Sequence, residues 1–176
     1  EKELNWFYQE GASYIYPDAW EKYLAPIPKE KQDNMMKSYY EILTGNNKKD
    51  RYKAAKAWSI WEASTSKLLQ NKKSLHHFEN AEVADMFARI ECHFFVNKGF
   101  FEYDGWLLDN IDKIRHIPCV IVQGRYDVVC PMISAWELHQ KWPEAEFHII
   151  PDSGHSMLEI GIRDKLIDYT NKFSRL

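Results

Sequence analysis

The chain has 176 residues, of which 45% are hydrophobic and 28% charged, as expected of a globular protein with one domain or one and a half. Its 23 basic and 26 acidic residues give a net charge of -3 without a long block of one sign, which argues against nucleic acid as the main partner. No apolar run has the length of a membrane span and no signal peptide is visible, so no membrane partner is expected. The three cysteines have no paired spacing, which favours a reducing, cytoplasmic location.

The first part of the chain is predicted to be helical, with no convincing strand. Residues 1 to about 16 are aromatic and irregular, and Gln70 to Asn80 is a connection. The apolar face formed by Met35, Met36, Tyr39, Tyr40 and Leu43 is expected to be core. Helices are predicted from Pro17 to the prolines at 26 and 28, from about Lys29 to Thr44, from about Asp50 to Leu69, from about Ala81 to Asn97, and from Trp106 to Ile114.

The pattern changes at Pro118. From there the sequence predicts a strand (Val120 to Val122), a helix (Met132 to Trp142), a second strand (Phe147 to Ile150) and a last helix (Ile162 to Phe173). This alternation is typical of a parallel sheet with crossover helices, so the fold class is α/β. We expect residues 1–113 to form a helical domain and residues 114–176 to form part of a sheet domain. Two strands do not make a stable sheet, and the chain begins at Glu1 without Met, so we expect it to be cut from a longer protein.

A polar residue follows each predicted strand. Asp127 comes just after the first strand and His155 lies in the turn after the second. Strand ends at the carboxyl edge of a parallel sheet lie close together, and Asp before His is the chain order of the last two members of an α/β-hydrolase triad. The alternative is a turn Asp that caps a helix and a surface His. The triad interpretation requires a Ser, and neither Ser13 nor Ser59 has the flanking glycines of a nucleophile turn.

Several longer segments resemble one family, the proline iminopeptidases, also called prolyl aminopeptidases. The segments are GRYDVVCP (124–131), SAWEL (134–138), WPEAE (142–146), GHS (154–156), GAS (11–13), AWSIWE (57–62) and FARIECHF (87–94). The resemblance covers nearly the whole chain. It implies an α/β-hydrolase of the serine peptidase class, with residues 1–113 as its helical cap and residues 114–176 as the C-terminal part of its core. It also implies that Asp127 and His155 are the triad acid and base, and that the nucleophile Ser lies before the cap, outside this chain.

Two helical glutamates are the candidates for substrate recognition. Neither Glu62 nor Glu91 has a Lys or Arg three or four residues away, so no local helix pair explains them. The alternatives are exposed glutamates or ion pairs across helices. The resemblance implies that both bind the free α-amino group of the substrate, and that Phe7 lines the proline pocket, although Phe7 also suits ordinary packing.

Cys130, three residues after Asp127, is expected to be a thiol near the site rather than a nucleophile. The histidines at 76, 77, 93, 116, 139 and 148 show no metal-binding spacing, so neither a metal nor a cofactor is expected.

The sequence therefore predicts part of a serine exopeptidase that releases N-terminal proline from peptides through a Ser-His-Asp triad, with the fragment alone inactive. Two alternatives stay open. One is another α/β-hydrolase, such as an esterase, epoxide hydrolase or dehalogenase, and the other is a non-catalytic interaction module. The sequence does not indicate an oligomeric state.

Overall fold

The computed structural model describes residues 1–69 and 80–175. The chain forms two compact units, one made of Glu1–Thr65 with Leu69–Phe101 and the other of Ser66–Leu68 with Glu102–Leu176. The expectation of a protein with both helices and a small parallel sheet is confirmed. Residues 70–79, most of the predicted connection, lie outside the described residues.

The first unit, where it is described, is built from helices around one long central helix. Its α-helices are α1 (Lys2–Tyr8), α2 (Pro17–Leu24), α3 (Met35–Leu43), α4 (Lys48–Thr65) and α5 (Ala81–Val96), with short 3-10 turns at Ala12–Tyr14, Lys29–Lys31 and Lys98–Phe100. Helix α4 packs against α2, α3 and α5. It therefore carries the residues around which the core of this unit forms.

The core of the first unit is mainly aromatic. Trp58 and Trp61 of α4 are fully buried, and so are Tyr23 of α2 and Tyr39 of α3. The Tyr23 and Tyr39 rings stack with their centroids 4.7 Å apart, and the Tyr39 hydroxyl donates a hydrogen bond of 2.6 Å to the Tyr23 carbonyl. Met35, Tyr39 and Leu43 are buried, whereas Met36 and Tyr40 are only half-buried, so the predicted core face of α3 is confirmed in part.

Two sequence predictions for this unit are wrong. Residues 1–16 are not irregular, because α1 forms and buries Phe7 and Tyr8. A helix this short is stabilised by packing rather than by its own propensity.

Helix α3 does not begin at Lys29. The side chain of Asn34 accepts a hydrogen bond of 3.0 Å from the backbone N–H three residues ahead, and this cap fixes the helix start at Met35.

The second unit contains the parallel sheet. Its elements are α6 (Trp106–Asp109), a 3-10 turn (Ile111–Lys113), β1 (Val120–Gly124), α7 (Met132–Lys141), β2 (Glu146–Ile150) and α8 (Ile160–Phe173). The predicted helix from Trp106 to Ile114 is thus two shorter elements. Strands β1 and β2 are parallel and in register from Val120 opposite Glu146 to Gly124 opposite Ile150. The predicted strand-helix-strand order is confirmed.

The loops that follow the two strands meet at the carboxyl edge of the sheet. The Arg125 N–H donates to the Ile150 carbonyl at 2.9 Å, which extends the pairing one residue beyond β1. Gly124 makes the approach possible, because a Cβ atom there would lie 1.9 Å from the Gly154 carbonyl oxygen. The residues just after Gly124 and just after Gly154 are thereby brought together.

Candidate active site

Asp127 lies in the turn after β1, and its carboxylate is held by the turn itself. Its Oδ1 accepts hydrogen bonds from the backbone N–H of Val129 at 3.0 Å and of Cys130 at 2.8 Å. Its Oδ2 accepts from the Gln123 side-chain amide at 3.1 Å. The side chain is only 6% exposed. Donors on both oxygens fix the carboxylate in one orientation.

His155 faces that carboxylate from the loop after β2. Its Nδ1 lies 3.0 Å from Asp127 Oδ2, and its side chain is 39% exposed. The loop backbone is held as well, because the N–H groups of His155 and Ser156 both donate to the Ser66 carbonyl, at 3.1 and 2.8 Å. The structure thus brings together the two residues that the sequence pattern pairs.

This arrangement is suited to proton transfer. In a neutral imidazole that donates from Nδ1 to the carboxylate, Nε2 carries the lone pair and is the basic atom. The carboxylate holds that tautomer and stabilises the imidazolium that forms when Nε2 takes a proton. The pair can therefore act as a general base towards a hydroxyl nucleophile. The role of Asp127 and His155 in a triad stays a prediction.

Glu62 and Glu91 lie in the first unit on two helices that pack together, α4 and α5. The Tyr8 hydroxyl donates a hydrogen bond to Glu62. The Trp58 indole N–H donates to Glu91 Oε2 at 2.9 Å. The Tyr8 and Trp58 rings are stacked, with centroids 4.5 Å apart. Two carboxylates are thus held near each other by a pair of stacked aromatic rings.

Burial and nearby negative charge raise the pKa values of groups in and around this pair. Desolvation by the surrounding protein raises the pKa of Glu62 to about 8, the negative charge of Glu91 contributes to the rise, and the Tyr8 hydrogen bond opposes it. Desolvation, and then the charge of Glu91, also raise the pKa of the buried Cys92 thiol to about 12. Tyr8 has a pKa well above its ordinary value, first because it is buried and then because of the two carboxylates. The neutral form of Glu62 is therefore favoured at neutral pH.

Phe7 lies next to Tyr8 in the sequence, and its ring is buried. It packs edge-on against Tyr8 at 4.8 Å between centroids and lies 5.2 Å from the ring of Trp61. Its assignment to a proline pocket stays a prediction. Tyr8 and the indole N–H of Trp58 were not predicted as site groups. The sequence features that could have indicated them are a second aromatic residue beside Phe7 and a Trp one helical turn before Glu62.

Cys130 contributes its backbone to the Asp127 turn. Besides the N–H that binds Asp127, its carbonyl accepts a hydrogen bond of 3.1 Å from the Gln123 side chain. Gln123 therefore binds both the Asp127 carboxylate and the backbone of Cys130, the residue that is predicted to carry a thiol near the site. Within residues 1–69 and 80–175, no three His, Cys, Asp or Glu side chains are gathered as metal ligands. His76 and His77 lie outside that range.

Comparison with known proteins finds curated relatives of this chain. No family model matches the chain. The curated relatives, however, are peptidases by name. No helix in the described parts of the chain is both long and apolar enough to cross a membrane.

The relatives carry the name proline iminopeptidase. A protein named "Probable proline iminopeptidase" from Leptolyngbya boryana is 58% identical over 172 residues, which is 98% of this chain and 54% of the relative. Proteins named "Proline iminopeptidase" from Arabidopsis thaliana and Xanthomonas citri are each 49% identical, over 99% and 98% of this chain and 46% and 55% of their own lengths. The chain is thus a homologue of the proline iminopeptidases, and the predicted resemblance is confirmed. It spans about half the length of these relatives.

Proposed function

We propose that this chain is part of a serine aminopeptidase that releases N-terminal proline from peptides, with the α/β-hydrolase fold and the first unit as its helical cap. The observation that carries the proposal is the hydrogen bond between His155 Nδ1 and Asp127 Oδ2 at the carboxyl ends of two adjacent parallel strands. The names of the relatives support the substrate.

In the proposed mechanism, Asp127 orients His155 and stabilises its protonated form. His155 takes the proton of a serine hydroxyl through Nε2 as the serine oxygen attacks the carbonyl carbon of the proline residue. The same proton then goes to the leaving amine, and a water molecule repeats the sequence to release free proline. Backbone N–H groups beside the serine would stabilise the oxyanion.

The amino group of the substrate is assigned to Glu62 and Glu91. A carboxylate offers about four lone-pair positions, and the Tyr8 hydroxyl uses one position of Glu62. No Lys, Arg or His forms an ion pair with Glu62 in the described residues. An ammonium ion donates hydrogen bonds and supplies the positive charge that a pair of desolvated carboxylates requires. An enzyme that needs a free amino group is thereby limited to the first residue of a peptide.

The serine is assigned to the part of the relatives' length that this chain does not span. The isolated 176-residue chain should therefore be inactive. Cys92, Cys119 and Cys130 are all free thiols, which supports a reducing, cytoplasmic setting for the enzyme.

The test uses the full-length gene product with a proline arylamide as substrate. His155→Ala and Asp127→Asn should each lower kcat by on the order of 10⁴-fold, the scale of triad disruption in serine peptidases. Asp152→Asn is the matched control, because Asp152 is an exposed acid in the His155 loop, and it should keep kcat within about twofold.

Substrate comparison separates the rival functions. Glu62→Gln and Glu91→Gln should raise the KM for the proline arylamide, while Glu21→Gln, an exposed glutamate of α2, should not. An N-acetylated proline arylamide should be a poor substrate for the parent protein. Equal activity on both arylamides, or on simple esters, would favour another α/β-hydrolase. Complete inactivity of the full-length protein on all of them would favour the interaction module.

A further inference from the structure

A second carboxylate binds the backbone of the His155 loop. Glu159 is half-buried and directly precedes α8. Its Oε1 accepts a hydrogen bond of 2.9 Å from the Gly154 N–H, the residue before His155. Its Oε2 accepts one of 3.2 Å from the Leu68 N–H. One side chain thus joins two backbone segments of the second unit.

The same two segments are also joined through the backbone. The Ser66 carbonyl accepts from the N–H groups of His155 and Ser156, and the Glu159 N–H donates to the Ser156 carbonyl at 2.9 Å. There is little room for adjustment, because a Cβ atom on Gly154 would lie 2.9 Å from the Leu68 nitrogen and 3.2 Å from Glu159 Oε1. The loop therefore has a single well-packed position in which Glu159 is the charged acceptor.

The position of the His155 ring depends on this loop. Asp127 is held by its own turn and by Gln123, so its carboxylate does not follow His155 if the loop moves. The Nδ1–Oδ2 distance of 3.0 Å therefore depends on where the loop backbone places His155. Hydrogen bonds to a carboxylate are stronger than those to a neutral acceptor, so Glu159 is a strong restraint on Gly154, the residue before His155.

From these contacts we infer that Glu159 is a positioning residue for His155, which holds the imidazole in register with Asp127. The inference rests on the catalytic role proposed for His155. Glu159 touches neither the imidazole nor a reacting atom in this arrangement, and it acts through the N–H groups of Gly154 and Leu68.

Two variants of the full-length protein test the inference. Glu159→Gln keeps the size of the side chain but has one oxygen acceptor, so it can satisfy one of the two N–H groups, whereas Glu159→Ala satisfies neither. We expect kcat for a proline arylamide to fall by about tenfold in Glu159→Gln and by on the order of 10²-fold in Glu159→Ala, with KM changed less than about twofold. Asp152→Asn serves as the control for loss of a nearby charge. The low-field proton resonance of the His155 Nδ1–H should shift or broaden more in Glu159→Ala than in Glu159→Gln.

The outcomes separate the inference from the function on which it rests. If kcat per folded molecule and the low-field resonance both stay at parental values, Glu159 is only a structural residue and the inference is overturned. A fall in folded protein without a change in kcat per folded molecule overturns it too. In a parent protein that lacks aminopeptidase activity the proposed function fails. In that case the His155 Nδ1–H resonance alone tests the inference. A shift of this resonance in the Glu159 variants supports the positioning role, and an unchanged resonance overturns it.

Discussion

Replacing Glu62 with Gln should stabilise the folded protein at alkaline pH and change its stability little at pH 5. Desolvation, and then the charge of Glu91, raise the pKa of Glu62 from its ordinary value of 4.5 to about 8 in the folded state. Between these two pH values the folded protein holds a proton that the unfolded chain has lost. Its stability therefore falls as pH rises through this window, and the whole loss is present above pH 8.

The size of the effect follows from the two pKa values. Each pH unit between them is worth about 1.4 kcal/mol, so the limiting penalty above about pH 8 is on the order of 5 kcal/mol, and the penalty at pH 7 is roughly 3 kcal/mol. Gln carries no charge at any pH, and its oxygen can still accept the hydrogen bond of the Tyr8 hydroxyl. The Gln variant should therefore avoid the penalty without losing this contact.

Urea unfolding of the full-length gene product at pH 5, 7 and 8.5 measures the effect. Tryptophan fluorescence follows the unfolding, and two of the seven tryptophans, Trp58 and Trp61, are buried in the core of the first unit, which contains Glu62. Glu21→Gln removes an equal charge from an exposed site and should show no such trend with pH. A stability gain of Glu62→Gln that is constant from pH 5 to pH 8.5, or that Glu21→Gln reproduces, would refute the reasoning.

Three further predictions concern other contacts. Gly124→Ala should destabilise the protein by about 3 kcal/mol in urea unfolding, since the new Cβ meets the Gly154 carbonyl oxygen at 1.9 Å and backbone must move; an unchanged midpoint would contradict this. Arg51→Met should cost about 1 kcal/mol in the same assay, because Asp85, whose side chain is only 10% exposed, loses its partner at 3.1 Å and keeps only the longer ion pair with Arg89 at 3.7 Å among those described. The affinity for prolinol, a non-cleaved amine, should rise by up to about tenfold per pH unit from pH 6 to 8 as Glu62 loses its proton. An inhibition constant that does not change with pH would refute the assignment of Glu62 to the substrate amine.

The fold was predictable where local patterns decide it. Both strands are short β-branched runs with turn residues at their ends, and the helices between and after them have regular apolar spacing. Helix α1 was not predictable in this way. It has seven residues and no side-chain cap, and it forms because Phe7 and Tyr8 pack against rings from α4. Such a contact has no signature in the local sequence.

The candidate site, like the fold, was predictable only in part. The approach of Asp127 and His155 follows from the geometry of neighbouring parallel strands, so their pairing was predictable from chain order alone. The partners of Glu62 were not, since Tyr8 lies 54 residues away along the chain. Gln123 and Glu159 bind the Asp127 turn and the His155 loop through side-chain contacts that depend on how those loops fold. Sequence order indicates which catalytic groups meet, but it does not indicate what holds them.

The two carboxylate sites are built in opposite ways, and the difference fits their proposed tasks. The oxygens of Asp127 accept from two backbone N–H groups, from Gln123 and from His155 Nδ1, so this carboxylate is held in one place and has little capacity left for a ligand. Glu62 accepts one hydroxyl hydrogen bond, and its raised pKa shows that its charge is poorly compensated. A protein keeps such a group at a cost in stability when the compensating charge comes from a ligand. A bound substrate amine should therefore lower the pKa of Glu62 and stabilise the folded state in proportion to the logarithm of its concentration above Kd.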